Sequence, residues 1–212
     1  MIPPSQNAEP LRRVPQQARS RQRFNQILDA AAQIFAEVGY EAASTELIAA
    51  RARTSIGSLY RFFPDKFTLL LALAERFAER MRELFAAHFN AAAVQEPLAQ
   101  IISKTVDAFD ALYTTQPGCR TVMLQSRVSP ELQAVNMRVD REIVVQLETF
   151  LALRQPQMGS ERRRLVAFVS VEIAGALQLL SLAQDEQLHQ QIVAETKAVL
   201  LGYLGPLFPD PL

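Results

Sequence analysis

The chain of 212 residues is poor in the groups that do chemistry. Its single cysteine, Cys119, excludes a disulfide within the chain and suits a reducing compartment. The two histidines, His88 and His189, lie far apart and outside any spaced metal motif. There is no glycine-rich phosphate loop, no nucleophile elbow and no paired metal-ligand signature. Catalytic residues, metals and cofactors are therefore not expected, and an enzyme is the weaker class. No alternation of period two persists, which argues against a sheet. The N-terminal stretch has no apolar core of the kind a secretory leader carries. Net charge is also missing: 22 basic and 22 acidic side chains cancel, so the total says nothing about partners.

What is present is apolar residues at helical spacing, 49% of the chain, enough to bury a real core. The charge is also unevenly placed. Residues 1–66 hold nine Lys and Arg against six acids, and the remainder holds 13 against 16. A basic front is the asymmetry expected where one end meets a polyanion. Residues 1–19, with Pro3, Pro4, Pro10 and Pro15, read as a disordered basic arm. Its arginines would track phosphate or enter a minor groove, or the arm is a solvated tail.

The spacing predicts an all-α fold. A first helix over 20–38 carries Ile27, Ala31, Ile34, Phe35 and Val38 on one face, and Gly39 stops it. Ser44 caps a second helix ending near Ala52, with Glu46 in its first turn. A third covers 55–62, and Pro64-Asp65 opens a fourth. Ile48, Ala49 and Ala52 face inward from one helix, Leu59 and Phe62 from the next, and Ala49 is small enough for a close crossing. This is helix-turn-helix patterning. It leaves Ser55, Gly57, Ser58, Tyr60 and Arg61 outward, donors and bare backbone suited to phosphates and base edges.

The run "ILDAAAQIFAEVGYEAASTELIAARARTSIGSLYRFFPDKFTLLLAL", residues 27–73, resembles the N-terminal domain of tetracycline-repressor-like (TetR family) transcription regulators. Three elements recur in order: "AAxxxFxExGY", "TxxxIAxxA" and "SxGSLYRFFPDKxxLL". The resemblance implies a DNA-binding domain over 20–66 and a helical ligand-binding and dimerisation domain over 67–212. It implies that Thr45 and Lys66 touch phosphate and that Thr54, Ser55, Gly57 and Ser58 approach the major groove. Tyr60 would meet the backbone or a base edge. Arg53 departs from the pattern, since the family usually has glycine at this left-handed turn. A non-glycine there costs about 1 kcal/mol. Arg53 either offsets this by contacting phosphate or is a solvated surface residue.

Beyond residue 66, punctuation by Pro97, Pro117-Gly118, Ser129-Pro130 and Ser160 predicts helices over 65–92, 97–115, 119–127, 130–154, 160–183 and 186–204. The segment "LVAFVSVEIAGALQLLSLA", residues 165–183, has one charge, Glu172. It reads as a membrane span or, in better accord with its isolation and its central charge, as a helix of a four-helix dimer interface. No membrane partner is expected. Aromatic residues and methionines of the middle helices, Phe85, Phe109, Tyr113, Met123 and Met137, line an apolar effector pocket or are plain core. Glu172 recognises a cationic ligand or forms an interface hydrogen bond, and Cys119 is an inert core thiol or a redox sensor. The whole predicts a cytoplasmic homodimeric repressor that leaves a palindromic double-stranded DNA operator when a small, largely apolar effector binds. The alternatives are an activator or co-repressor of the same family, or a helical small-molecule or lipid carrier.

Overall fold

The computed structural model describes residues 18–208. Nine α-helices and no strand occur among the described residues. They are α1 (Ala18–Ala42), α2 (Thr45–Arg51), α3 (Ile56–Phe62), α4 (Lys66–His88), α5 (Leu98–Thr115), α6 (Cys119–Gln125), α7 (Pro130–Arg154), α8 (Ser160–Ser181) and α9 (Glu186–Leu204). A short 3-10 helix, Ala91–Gln95, precedes α5. The chain divides into two compact units inside α4, between Leu73 and Ala74. The expectation for the N-terminal arm lies almost wholly outside the described residues.

In the first unit, α1 buries Phe24, Ile27, Leu28, Ala31, Ile34 and Phe35. Phe24 packs on Phe63 (ring centroids 4.8 Å apart) and edge-on to Phe62 (6.2 Å), a geometry aromatic quadrupoles favour. Gly39 has φ 76° and ψ 172°, a positive-φ break after which helical bonding resumes to Ala42. Val38, expected on the inward face, is instead exposed, because the helix changes course immediately after it. Ile48, Ala49, Ala52, Leu59 and Phe62 are all buried, so the two short helices cross on small and aliphatic side chains. Neither helix is long enough to be stable alone, and this packing supplies what helix propensity lacks.

In the second unit, α8 packs against both α7 and α9, and α5 against α9 and α6. The fourth helix ends at His88 rather than near 92. The Asn90 side-chain oxygen Oδ1 accepts from the N–H groups of Ala92 (2.9 Å) and Ala93 (3.2 Å) and so caps the 3-10 turn instead. Arg154, near the end of α7, holds that turn by donating to the carbonyls of Val94 (3.2 Å) and Glu96 (2.7 Å). Salt bridges pin α7 to α4: Arg82 with Glu142, and Arg138 with Glu75 at 2.6 Å.

Candidate nucleic-acid interface and ligand cavities

The geometry of the first unit's surface follows from its caps. Ser44 Oγ accepts from Leu47 N–H at 3.2 Å, and Ser55 Oγ from Ser58 N–H at 3.2 Å. Each hydroxyl thereby satisfies an otherwise orphan donor at a helix start. Between them Arg53 sits at φ 49°, the only left-handed non-glycine among the described residues. Ser55, Gly57, Tyr60 and Arg61 are exposed, and Thr54 and Ser58 are partly so. Arg61 lies over the Phe62 ring, 5.1 Å from its centroid, which steadies the guanidinium without neutralising it.

Gly57 stands out among these. It is helical with negative φ, and a Cβ built there would meet nothing within 4 Å. Neither backbone strain nor packing within the unit requires glycine, and in a helix interior it costs about 0.5–1 kcal/mol relative to alanine. A bare backbone at an exposed helical position suits the close approach of something outside the chain.

Two residues for which the family resemblance implies phosphate contacts have partners within the chain here. Thr45 is buried, and its Oγ1 shares a hydrogen bond of 3.0 Å with Tyr60 Oη, so it positions Tyr60 across the two helices. Lys66 donates to the carbonyls of Tyr40 (2.7 Å), Glu41 (3.1 Å) and Ala43 (3.0 Å), with its ammonium 4.5 Å from the Tyr40 ring centroid. All three of its donors are engaged at the C-terminal end of α1, where a cation is favoured by the exposed carbonyls. A phosphate contact would require it to release them. The Lys66→Ala variant is expected to lower the stability of the first unit by about 1–3 kcal/mol, the range for charge-assisted hydrogen bonds. Chemical denaturation of the full chain checks this, and unchanged stability would return Lys66 to a surface role.

Sequence reasoning passed over Arg23, which donates from α1 to Thr54 Oγ1 at 2.8 Å. Long-range side-chain pairing of this kind has no local signature. Arg51 is likewise spoken for, forming a two-pronged pair with Glu37 at 2.7 Å for both contacts.

Two adjoining, partly open cavities, of about 100 and 400 Å³, lie in the second unit. They share Met81, Tyr113, Asp140, Val171 and Gly175. Phe85 and Phe109 line the smaller one, Met123, Met137 and Glu172 the larger, and Tyr113 both. Met137 and Glu172 are exposed, whereas Phe77 is buried core outside either cavity. Phe89, stacked on Phe85 at 4.3 Å, extends the aromatic wall.

Asp140 had not been singled out, although it lies in helical register with Ile143 and Leu147 on the cavity side of α7. Burial, with a smaller contribution from the charge of Glu172, pushes its carboxyl up to about 6. Cys119 is fully buried and burial pushes its thiol up to about 12, the setting of an inert core thiol.

A short helix pair with a polar outward face, followed by a helical bundle around cavities, defines a DNA-binding regulator with a ligand-binding type of second domain. Residues 27–73 match the bacterial regulatory proteins, tetR family, and residues 97–204 match the tetracyclin repressor-like, C-terminal domain. The chain belongs to the TetR family of transcriptional regulators. A TetR-family regulator from Streptomyces coelicolor is 31% identical, with a TM-score of 0.64 over 88% of this chain and 99% of that one. The HTH-type transcriptional repressor KstR of Mycolicibacterium smegmatis is 43% identical over 61 residues, 29% of this chain. The chain spans 30% of that repressor's length. The HTH-type transcriptional activator FasR of the same organism is 28% identical over 154 residues, 72% of this chain and 69% of that protein. Regulators of this family bind DNA operators and are typically dimers with small-molecule effectors.

Proposed function

We propose that the chain is a cytoplasmic, homodimeric repressor that reads a palindromic operator with α3 and is released when a small, largely apolar effector fills the cavities of the second unit. The observation that carries this is the outward face of α3, where Ser55, Gly57, Ser58, Tyr60 and Arg61 stand exposed or partly exposed above buried Leu59 and Phe62. Thr54 and Arg53 extend that face toward the turn. A carrier of small molecules would have no use for it. Half-sites are expected about one helical turn apart, or a multiple of it, and affinity should fall steeply with salt as phosphate contacts release counterions.

Gly57→Ala separates this reading from a purely structural one. The variant is expected to gain roughly 0.5–1 kcal/mol in stability and yet bind the chain's own upstream DNA less tightly, because the methyl group stands where the groove must approach. Fluorescence anisotropy on that DNA, beside a melting curve, reads both. Higher stability with undiminished binding would count against α3 as the reading helix.

Release requires coupling, and α4 is the element common to both ends of the chain. It buries Leu69, Leu70 and Leu73 in the first unit and contributes Met81 and Phe85 to the cavities of the second. A ligand that shifts α4 would alter the spacing of the two reading helices, with a coupling of about 1–3 kcal/mol, or roughly 5- to 150-fold. By linkage, operator DNA must weaken the effector by the same factor, which calorimetric titration with and without operator measures. Tighter effector binding in the presence of operator would favour the second reading, a co-repressed or activating regulator. The similarity to an activator over 72% of the chain keeps that reading in view.

A further inference from the structure

The polar groups of the smaller cavity are of two kinds. Thr105 and Ser170 donate their hydroxyls to backbone carbonyls one turn earlier, at 2.8 Å each, and Gln178 donates to Val106 at 3.4 Å. These side chains are occupied. Tyr113 and Asp140, which line both cavities, are not: neither has a hydrogen bond or ion pair with any described residue. Tyr113 is only 6% exposed, and what remains accessible includes its hydroxyl. Asp140 is partly exposed and the Tyr113 hydroxyl is not sealed away, so together they present a free carboxylate and a free hydroxyl to whatever enters the cavities.

The charges around this pair are of one sign nearest to it. The carboxylate of Glu172, on α8, adds to the negative potential at Asp140. Arg127 is the one basic side chain lining the larger cavity among the described residues, and it is exposed. Phe85, Phe89 and Phe109 supply aromatic faces in the same cavity as Asp140. Such faces attract cations as well as apolar groups.

We propose that the second unit takes an amphiphilic amine, its apolar body among Phe85, Phe89, Phe109 and Leu147 and its protonated nitrogen donating to the Asp140 carboxylate and the Tyr113 phenol oxygen. This rests on the effector reading above and names the effector's chemistry. A carboxylate ligand would meet like charge at Asp140 and Glu172. A neutral alcohol could donate to Asp140 and accept from Tyr113 but would leave the carboxylate's charge uncompensated. A protonated amine both donates to these oxygens and neutralises the carboxylate, because an ammonium has several donors and a positive charge.

Calorimetry on the full chain without DNA, at pH 7.5, tests this with three probes of equal chain length: decylamine, 1-decanol and decanoate. Decylamine is expected to bind at least about tenfold more tightly than either of the others, the effect of one opposite charge at a part-buried site. Asp140→Asn should erase most of that preference while decanol binds as before, and Tyr113→Phe should reduce it less. Decanol or decanoate binding as tightly as the amine would overturn the inference. So would an Asp140→Asn protein that keeps the preference. Operator binding is measured separately. Amine preference without operator binding would support this inference and overturn the regulator reading, and operator binding without amine preference would do the reverse.

Discussion

The Leu180→Glu variant is expected to sediment as a monomer and to bind operator about 10²–10⁴-fold more weakly, the range by which linked sites exceed single ones. The reason lies on the outer face of α8 and α9. Leu165, Phe168, Leu180, Leu188 and Val199 are each at least 40% exposed, a concentration of large apolar side chains that a monomer seldom leaves to water. Gly175 and Gly202 lie exposed, and a Cβ on either would meet nothing within 4 Å, leaving room for a close approach. By length and composition α8 is also apolar enough to cross a membrane, but it is packed against α7 and α9 on its other side. We propose that a second copy of the chain covers this face. An unpaired charge buried there would cost several kcal/mol. Phe168→Glu should act alike, and circular dichroism will show whether the helices persist. An intact dimer in both variants would place the interface elsewhere.

Asp140→Asn is expected to stabilise the protein by roughly 1–3 kcal/mol at pH 8 and to have almost no effect at pH 3. Burial, aided by Glu172, lifts the carboxyl from 3.8 to about 6. Between those values the folded state binds more protons than the unfolded one, so the wild-type contribution improves as pH falls through 6. Above pH 6 the partly desolvated charge carries its whole penalty, which asparagine removes. Toward pH 3 and below, the carboxyl is mostly neutral in both states and the two proteins converge. Paired denaturation curves at the two pH values cancel every other titrating group to first order. A stabilisation equal at both would mean that Asp140 is not held ionised against its surroundings. A group kept at such a cost is what a ligand-binding role would require.

The first unit could be read closely from its residues because its signals are local. Ser44 and Ser55 cap the helices they precede, and Arg53 occupies the left-handed position that the turn demands. Caps and turns act within three or four residues, so spacing alone exposes them. The breaks of the second unit at Pro97, Gly118 and Ser129 are of the same kind. Val38 shares the helical register of Ile34 and Phe35, but the helix breaks at Gly39 just beyond it and Val38 stands exposed.

What the sequence by itself determined was the order and type of helices, the helix-turn-helix and its outward residues, and an apolar eighth helix needing cover. Each of these depends on near neighbours and on helical period. Only the tertiary structure decided that Lys66 clamps the end of α1, that Thr45 serves Tyr60, and that Cys119 is sealed away. It alone brought Tyr113 of α5 and Asp140 of α7 to the same cavities, beside Glu172 of α8. Which donors are spent and which carboxylate is stranded depends on segments far apart in the chain. Desolvation and hydrogen-bond satisfaction are properties of the packed enclosure, and no stretch of residues carries them alone.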